Sequence, residues 1–147
     1  MLVRTTAAGI LTLVAALAAS SSAWAATTVT VSLWDKPDGA MGITASAPQA
    51  AVGSVTFAVT NSSSQMVHEM IVVRLSAEQA AHPEALPYDT MGGMVDEDKI
   101  DDVGEVSELD PGKSGSLTVD LAAGTYELIC NVPGHFMIGM RAIVVVK

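Results

Sequence analysis

The segment TYELICNVPGHFMIGMRAIVVV, which runs from Thr125 to Val146, contains two stretches of β-type sequence and a loop between them. The loop begins at Cys130, the only cysteine of the chain, and His135 and Met140 follow at intervals of five residues. Thiolate, imidazole and thioether groups are ligands of the softer transition metals. The segment therefore predicts a metal-binding loop that joins the last two strands of the fold.

A fourth ligand has to come from elsewhere in the chain. A trigonal site of two histidines and one cysteine, with a weak axial methionine, is typical of blue-copper electron-transfer centres. Of the two remaining histidines, His68 precedes a strongly apolar run, whereas His82 stands before a proline in a polar stretch that predicts an exposed loop. We therefore expect a copper site made of His68, Cys130, His135 and Met140.

Other interpretations of these residues stay open at this point. Zinc is the alternative metal, although a methionine thioether is not among its usual ligands. Met140 could instead fill a gap in the hydrophobic core, and His68 could be a buried core histidine. Cys130 could be a free thiol or form an intermolecular bridge, since one cysteine cannot form a disulfide within the chain.

The N-terminus predicts export. Arg4 is followed by an apolar run from Ala7 to Ala19 and by Ala23-Trp24-Ala25, a small-x-small cleavage signature, so residues 1–25 are predicted to be a signal peptide. The apolar run is shorter than the ~20 residues that a membrane span needs. We expect one domain, residues 26–147, that is periplasmic or otherwise exported and does not span the membrane after cleavage.

The charge of the predicted domain is strongly negative. Removal of Arg4 leaves six basic against sixteen acidic side chains, a net charge of −10 with neutral histidines, which argues against nucleic acid as a partner. Half of the acidic residues lie in one region: Asp96, Glu97, Asp98, Asp101, Asp102, Glu105, Glu108 and Asp110. Such a run is usually a solvated face, and the functional alternative is a docking surface for a basic partner.

Alternation of apolar and polar residues predicts strands at 28–34 and 54–60. Residues 117–121 and 125–130, with Ala123-Gly124 between them, predict a hairpin. Residues 142–146 have no polar face and predict a closing strand that is covered on both sides. Asp110-Pro111-Gly112-Lys113 predicts a turn.

The strand pattern lapses between residues 76 and 108. Ser76 and Gln79 occupy the positions of a capping box, so a short helix is predicted at 76–81 within this long excursion. Several short strands with regular turns predict an all-β protein, an antiparallel Greek-key β-sandwich with a partly helical excursion. In such a fold His68, at one end of an early strand, can meet the loop between the last two strands.

The chain resembles the cupredoxins, the type 1 copper proteins that include plastocyanin and azurin. The spacing of Cys130, His135 and Met140 is similar to that of rusticyanin and sulfocyanin, and Tyr126 matches an aromatic residue that the family often carries four residues before the cysteine. Glu69 departs from the pattern, because the family commonly has Asn or Ser directly after the first histidine, where that side chain can tie the two ligand loops together.

The resemblance implies one type 1 copper per chain and transfer of single electrons. It also implies that the far edge of His135 lies near the surface, within an apolar ring that Pro133, Phe136, Met137 and Ile138 could form. Burial between loops is the equal alternative for Phe136, Met137 and Ile138. The expected partner is a redox protein such as a cytochrome or a membrane complex. Nothing in the sequence resembles an assembly segment, so a monomer is expected.

Two other function classes are alternatives to an electron carrier. A copper-binding protein of copper homeostasis or tolerance is the alternative, because thioethers select copper(I) and several methionines lie outside the proposed site: Met41, Met66, Met70, Met91, Met94 and Met137. An enzyme is not expected, since a second, catalytic copper needs several imidazoles and only His82 is left to supply one.

Overall fold

The computed structural model describes residues 27–147, and the signal peptide predicted for residues 1–25 lies outside them. Eleven strands are present in this part of the chain: β1 Thr27–Asp35, β2 Met41–Ala45, β3 Gln49–Ala50, β4 Gly53–Asn61, β5 His68–Leu75, β6 Tyr88–Asp89, β7 Met94–Val95, β8 Asp101–Leu109, β9 Ser114–Leu121, β10 Gly124–Ile129 and β11 Arg141–Val146. One short helix, α1 Ala77–Ala81, and two 3₁₀ turns, Pro83–Ala85 and Glu97–Lys99, complete the secondary structure.

Two sheets form the predicted β-sandwich, which is confirmed. The first sheet has the strand order β2-β1-β4-β9 and the second has the order β3-β11-β10-β5-β8, while β6 and β7 form a separate ribbon. Two strand pairs, β1 with β4 and β3 with β11, are parallel, so the sheets are mixed rather than purely antiparallel. Within residues 27–147 no helix is both long enough and apolar enough to cross a membrane.

The hairpin predicted from residues 117–130 is wrong. β9 pairs with β4 in the first sheet, whereas β10 pairs with β5 and β11 in the second sheet. The short connection at Ala122-Ala123 therefore carries the chain across the sandwich. Local sequence looks the same for a hairpin and for such a crossing, since both need two alternating strands and a tight turn.

The main core lies between the two sheets. It contains the inward side chains of the alternating strands, among them Val29, Val31 and Phe57, together with Tyr126 and Leu128 of the second sheet. A second apolar cluster covers the outer face of the second sheet, where Leu86 and Val95 of the excursion pack on its central strands. This double coverage explains the unbroken apolar run of β5.

The closing strand β11 is not covered on both sides, contrary to the prediction. Ile143 is 36 % exposed, whereas Val144 and Val146 are buried. β11 therefore has an inner face and a partly exposed outer face, because the excursion covers β5 and β10 but does not extend fully over its neighbour.

The excursion between strands is shorter than predicted. Its helix α1 is confirmed with the capping box, in which the Gln79 N–H donates to Ser76 Oγ at 3.2 Å and the Ser76 N–H donates to Gln79 Oε1 at 2.9 Å. The excursion ends at Ile100, because residues 101–109 form the edge strand β8. Two register irregularities between β5 and β8 place the inward Val103, Val106 and Leu109 three residues apart, which hides the alternation of a strand.

The strand directions gather several chain segments at one end of the sandwich. β1 and β4 are parallel and end together, and the loop after β4 leads directly into β5. β10 is antiparallel to β5, with Ile129 opposite Ile71, so the end of β10 lies beside the start of β5. We call this end, which carries the last residue of β1, the first residues of β5 and the 130–140 loop, the site pole.

Candidate metal centre

His68 is fixed in place by the chain on both sides of it. It is the first residue of β5 and is completely buried. The preceding loop is held by the buried Asn61, whose Nδ2 donates to the carbonyls of Met66 at 2.8 Å and Leu109 at 2.7 Å and whose Oδ1 accepts from the Ser63 N–H at 3.0 Å. These hydrogen bonds hold the loop before β5 rigidly, and so fix the position of the His68 imidazole at the site pole.

The 130–140 loop folds back on itself. The Cys130 N–H donates to the Met140 carbonyl and the Met140 N–H donates to the His135 carbonyl, each at 3.1 Å. Gly134 and Gly139 have φ values of 87° and 96°, a region in which glycine is favoured because other residues are strained there. These turns bring the backbone of the completely buried Met140 against both Cys130 and His135.

Three predicted ligands meet at the site pole. The Nδ1 atoms of His68 and His135 are 3.2 Å apart, and Cys130 Sγ lies 3.9 Å from the first and 3.5 Å from the second. All three side chains are buried. His82, by contrast, lies exposed between α1 and the first 3₁₀ turn, where its Nδ1 is 3.5 Å from Glu84 Oε1.

The donor spacing fits a metal ion. Nitrogen and sulfur donors bind zinc at about 2.0–2.3 Å, and three donors at such distances around one ion in a trigonal plane are separated by roughly 3.5–3.8 Å. The separation between Cys130 Sγ and His135 Nδ1, 3.5 Å, lies in that range, whereas the other two, 3.2 Å and 3.9 Å, lie just below and just above it. One metal ion in a trigonal site requires all three donors at about this spacing. A hydrogen bond between the two imidazoles would not require the Cys130 thiol to lie beside them.

Burial sets the protonation of the donors. Burial lowers the pKa of His68, against a smaller opposing effect of Asp35, and burial together with the neighbouring His68 lowers the pKa of His135. Burial also raises the pKa of the Cys130 thiol to about 11. The metal-free site therefore holds two neutral imidazoles, which are ready to coordinate, and a thiol whose proton a metal has to displace.

Glu69, which departs from the family pattern, contacts the site through its main chain. Its backbone N–H points at Cys130 Sγ over 3.5 Å, and its side chain is half-buried. Burial, followed by the carboxylates of Glu108, Glu97 and Glu105, raises the pKa of Glu69 to about 7, and the backbone N–H of Asn131 works in the opposite direction.

A different residue ties the ligand loop to its surroundings. The buried Asn131 accepts from the Val95 N–H at 2.6 Å and donates to the Val95 carbonyl at 3.0 Å and to Glu97 Oε1 at 2.7 Å. The Gly134 N–H adds a bond of 2.7 Å to the Gly93 carbonyl. Asn131 was not among the residues predicted for the site, although its position as a polar residue directly after the cysteine in an apolar stretch was a signal for it.

The surface beside the ligand loop is partly apolar. Met137 is 61 % and Ile138 is 57 % exposed, and Pro133 is exposed as well. Phe136 does not belong to this surface but follows the alternative of burial, because it packs against Tyr88 with ring centroids 6.2 Å apart. Tyr126 lies in the main core, on the strand that precedes Cys130, and its hydroxyl donates to the Ala122 carbonyl at 2.9 Å.

The chain is similar to known copper proteins. The family model described as copper binding proteins, plastocyanin/azurin family, matches residues 32–147. No curated protein sequence compared with the chain matches it. Similarity to solved structures is therefore the second line of comparison.

Three solved structures illustrate the similarity. Auracyanin A, titled a blue copper protein from Chloroflexus aurantiacus, is 25 % identical, with 82 % of this chain and 99 % of that chain covered and a TM-score of 0.54. Reduced auracyanin from Roseiflexus castenholzii is 24 % identical, with 84 % and 99 % covered and a TM-score of 0.56. Rusticyanin from Thiobacillus ferrooxidans is 20 % identical, with 84 % and 80 % covered and a TM-score of 0.55.

Proposed function

The chain belongs to the plastocyanin/azurin family of copper-binding proteins, and from this premise we propose that it carries single electrons between redox proteins outside the cytoplasm. In this proposal His68, Cys130 and His135 are the strong ligands of one type 1 copper, and Met140 is the weak axial ligand. The observation that supports it most is the buried group of two Nδ1 atoms and one Sγ atom at the site pole. Copper, when bound there, supplies the one-electron couple.

The protein's own contribution is rigidity. Copper(II) and copper(I) prefer different coordination, so a site that is held between the two preferences has little to rearrange when an electron arrives. His68 starts a central strand, Cys130 follows another, and backbone hydrogen bonds close the loop from Cys130 to Met140. These attachments hold the donor atoms in one arrangement and exclude water from them.

His135 is the expected route for electrons. It is 4 % exposed, whereas His68, Cys130 and Met140 are completely buried. Electron-transfer complexes are typically small, below ~1,200 Å² of buried surface in total, because the partner has to leave after each transfer. The exposed Met137 and Ile138 beside His135 offer a surface of this kind.

The partner is proposed to be a redox protein, such as a cytochrome or a membrane complex, with a basic docking surface. The acidic residues of the excursion and of the edge strand β8 are largely exposed, and Asp96 forms the ion pair with Lys99, 2.6 Å away. Opposite charges raise the rate of encounter and make it sensitive to salt. The predicted signal peptide supports a periplasmic or other exported location. We propose an electron carrier and not an enzyme.

A role in copper homeostasis is the second candidate, because two thioethers are exposed close to the ligand loop. Met91 is 97 % and Met94 is 38 % exposed, and they flank Gly92 and Gly93; the Gly93 carbonyl accepts from the Gly134 N–H of the 130–140 loop. Exposed thioethers attract copper(I). A carrier should bind one copper per chain, whereas a buffer should bind more and lose the excess when both methionines are replaced by leucine.

The proposal is tested by electron-exchange kinetics of the copper-loaded protein. Stopped-flow mixing of the reduced protein with an oxidised basic cytochrome should give fast, complete reoxidation, with a rate that falls as salt is added. Slow or incomplete exchange, together with binding of several copper ions per chain, would instead support copper handling.

A further inference from the structure

The far edge of His68 faces the carboxylate of Asp35, which lies far from His68 in the sequence. His68 Nε2 and Asp35 Oδ1 are 3.7 Å apart, and both atoms are sealed from solvent without a hydrogen-bond partner in the described part of the chain. A buried polar atom without a hydrogen-bond partner lowers the stability of the fold. Two such atoms that face each other therefore require an explanation. A closer approach of about 0.8 Å would make an ordinary hydrogen bond.

We propose that Asp35 is a positioning residue for the metal site, which holds His68 in the tautomer that carries its proton on Nε2. This inference rests on the proposed function, since it assigns a role toward the copper that His68 would bind. A neutral imidazole has one protonated and one free nitrogen. With the proton on Nε2, facing Asp35, the free nitrogen is Nδ1, which is the atom that lies 3.2 Å from Nδ1 of His135.

Asp35 is well placed for this role. It is the last residue of β1 and pairs with Met41 of β2. The turn that follows is closed by the Lys36 N–H bond to the Ala40 carbonyl at 2.7 Å and by the Gly39 N–H bond to the Lys36 carbonyl at 2.9 Å. The side chain of Asp35 is 13 % exposed. Its carboxylate is therefore held at the site pole by a strand end rather than by a mobile loop.

No neighbouring cation takes Asp35 away from His68. The adjacent Lys36 directs its ammonium over the Trp34 ring, 5.2 Å from the ring centroid, and the described residues contain no ion pair between Asp35 and a lysine or arginine. Metal-binding histidines commonly donate their second N–H to a carboxylate, which fixes the ring and raises the basicity of the ligand. The negative charge of Asp35 also favours copper(II) over copper(I).

Three proteins test the inference: the parent, Asp35→Asn and Asp38→Asn. Asp38 is an exposed aspartate in the same turn, so Asp38→Asn removes the same charge without touching His68. Nitrogen-15 NMR of the metal-free proteins reads the His68 tautomer directly. We expect the Nε2–H form in the parent and in Asp38→Asn, and a mixture of both tautomers in Asp35→Asn.

Copper binding and the reduction potential provide the second readout. Loss of an outer partner of a ligand histidine typically weakens metal binding about 10–100-fold. If copper(II) is weakened about tenfold more than copper(I), the potential of Asp35→Asn rises by ~59 mV, and that of Asp38→Asn stays close to the parent value.

The outcomes separate this inference from the proposed function. An Nδ1–H tautomer of His68 in the metal-free parent, or equal potentials in Asp35→Asn and Asp38→Asn, would overturn the role of Asp35 while leaving the copper site intact. A parent protein that binds no copper would refute the proposed function, and the NMR result would still decide whether Asp35 orients His68. Asp35→Ala, which lacks any acceptor at this position, should show the same mixture of tautomers as Asp35→Asn, and an Nε2–H form alone in Asp35→Ala would also overturn the role of Asp35.

Discussion

Replacement of Glu127 by glutamine should make the protein more stable at neutral and alkaline pH. Glu127 lies on β10 between Val73 of β5 and Ile143 of β11, is completely buried, and has no hydrogen-bond partner for either carboxylate oxygen in the described residues. Burial raises its pKa to about 7; Arg141 opposes this shift and Glu84 adds to it.

The size of the effect follows from that pKa. In the unfolded chain Glu127 has the ordinary pKa of 4.5. The rise of its pKa to about 7 in the folded protein therefore corresponds to about 3 kcal/mol, since one pKa unit equals 1.36 kcal/mol. Well below pH 4.5 Glu127 is protonated in both states, so its ionisation has no effect on the free energy of unfolding there. Between pH 4.5 and 7 the unfolded chain loses the proton first, so the free energy of unfolding falls as pH rises, and above pH 7 the full loss is present.

Urea unfolding of the metal-free parent and of Glu127→Gln between pH 4 and 9 measures this difference. The two free energies should diverge by about 3 kcal/mol from the acidic to the alkaline end, with the variant the more stable. Glu69, whose pKa is also raised to about 7, is present in both proteins, so its effect cancels in the comparison. Glu78→Gln, which removes an exposed carboxylate of α1, is the control and should stay parallel to the parent. Parallel curves for Glu127→Gln would refute the reasoning.

Three further predictions concern the site. Cys130→Ser should abolish the intense visible band of the copper protein, because the thiolate is lost, and His82→Ala should keep it; a coloured Cys130→Ser protein would contradict the ligand assignment. Met140→Leu should still bind copper but shift the potential measured by spectroelectrochemistry, since the axial ligand is weak; complete loss of copper would show that Met140 holds the metal. Asn131→Ala should lower the free energy of unfolding by about 3 kcal/mol in urea, because it leaves the buried Val95 N–H and carbonyl unpaired; an unchanged value would mean that this tie contributes nothing.

Local pattern was enough to predict much of the sandwich. Strands β1 and β4 alternate because one face of each is buried, and residues 70–73 of β5 form an unbroken apolar run because the excursion covers the outer face of that strand. β8 could not be recognised, because its irregular pairing with β5 breaks the period of two that marks a strand. The crossing between β9 and β10 was also out of reach, since the sequence specifies two strands and a turn but not the sheet that each strand joins.

The candidate site, like the fold, was predicted from the sequence only in part. The spacing of Cys130, His135 and Met140 indicated one loop, and the position of His68 before an apolar run indicated a strand start. Asp35 could not be recognised, because it acts across the sandwich on His68, which is distant in sequence. Asn131 was marked as unusual by its position in an apolar stretch, but its partner Val95, 36 positions away, could not be predicted. Such contacts depend on which strand ends share a pole, which follows from the topology alone.

The central claim, a type 1 copper site at this pole, is tested most directly by titration of the purified metal-free protein with copper(II), followed by visible and electron paramagnetic resonance spectroscopy. We predict an intense blue or green band that saturates at one copper per chain, together with a type 1 resonance signature. Colourless binding, or binding of several copper ions without that signature, would contradict the claim.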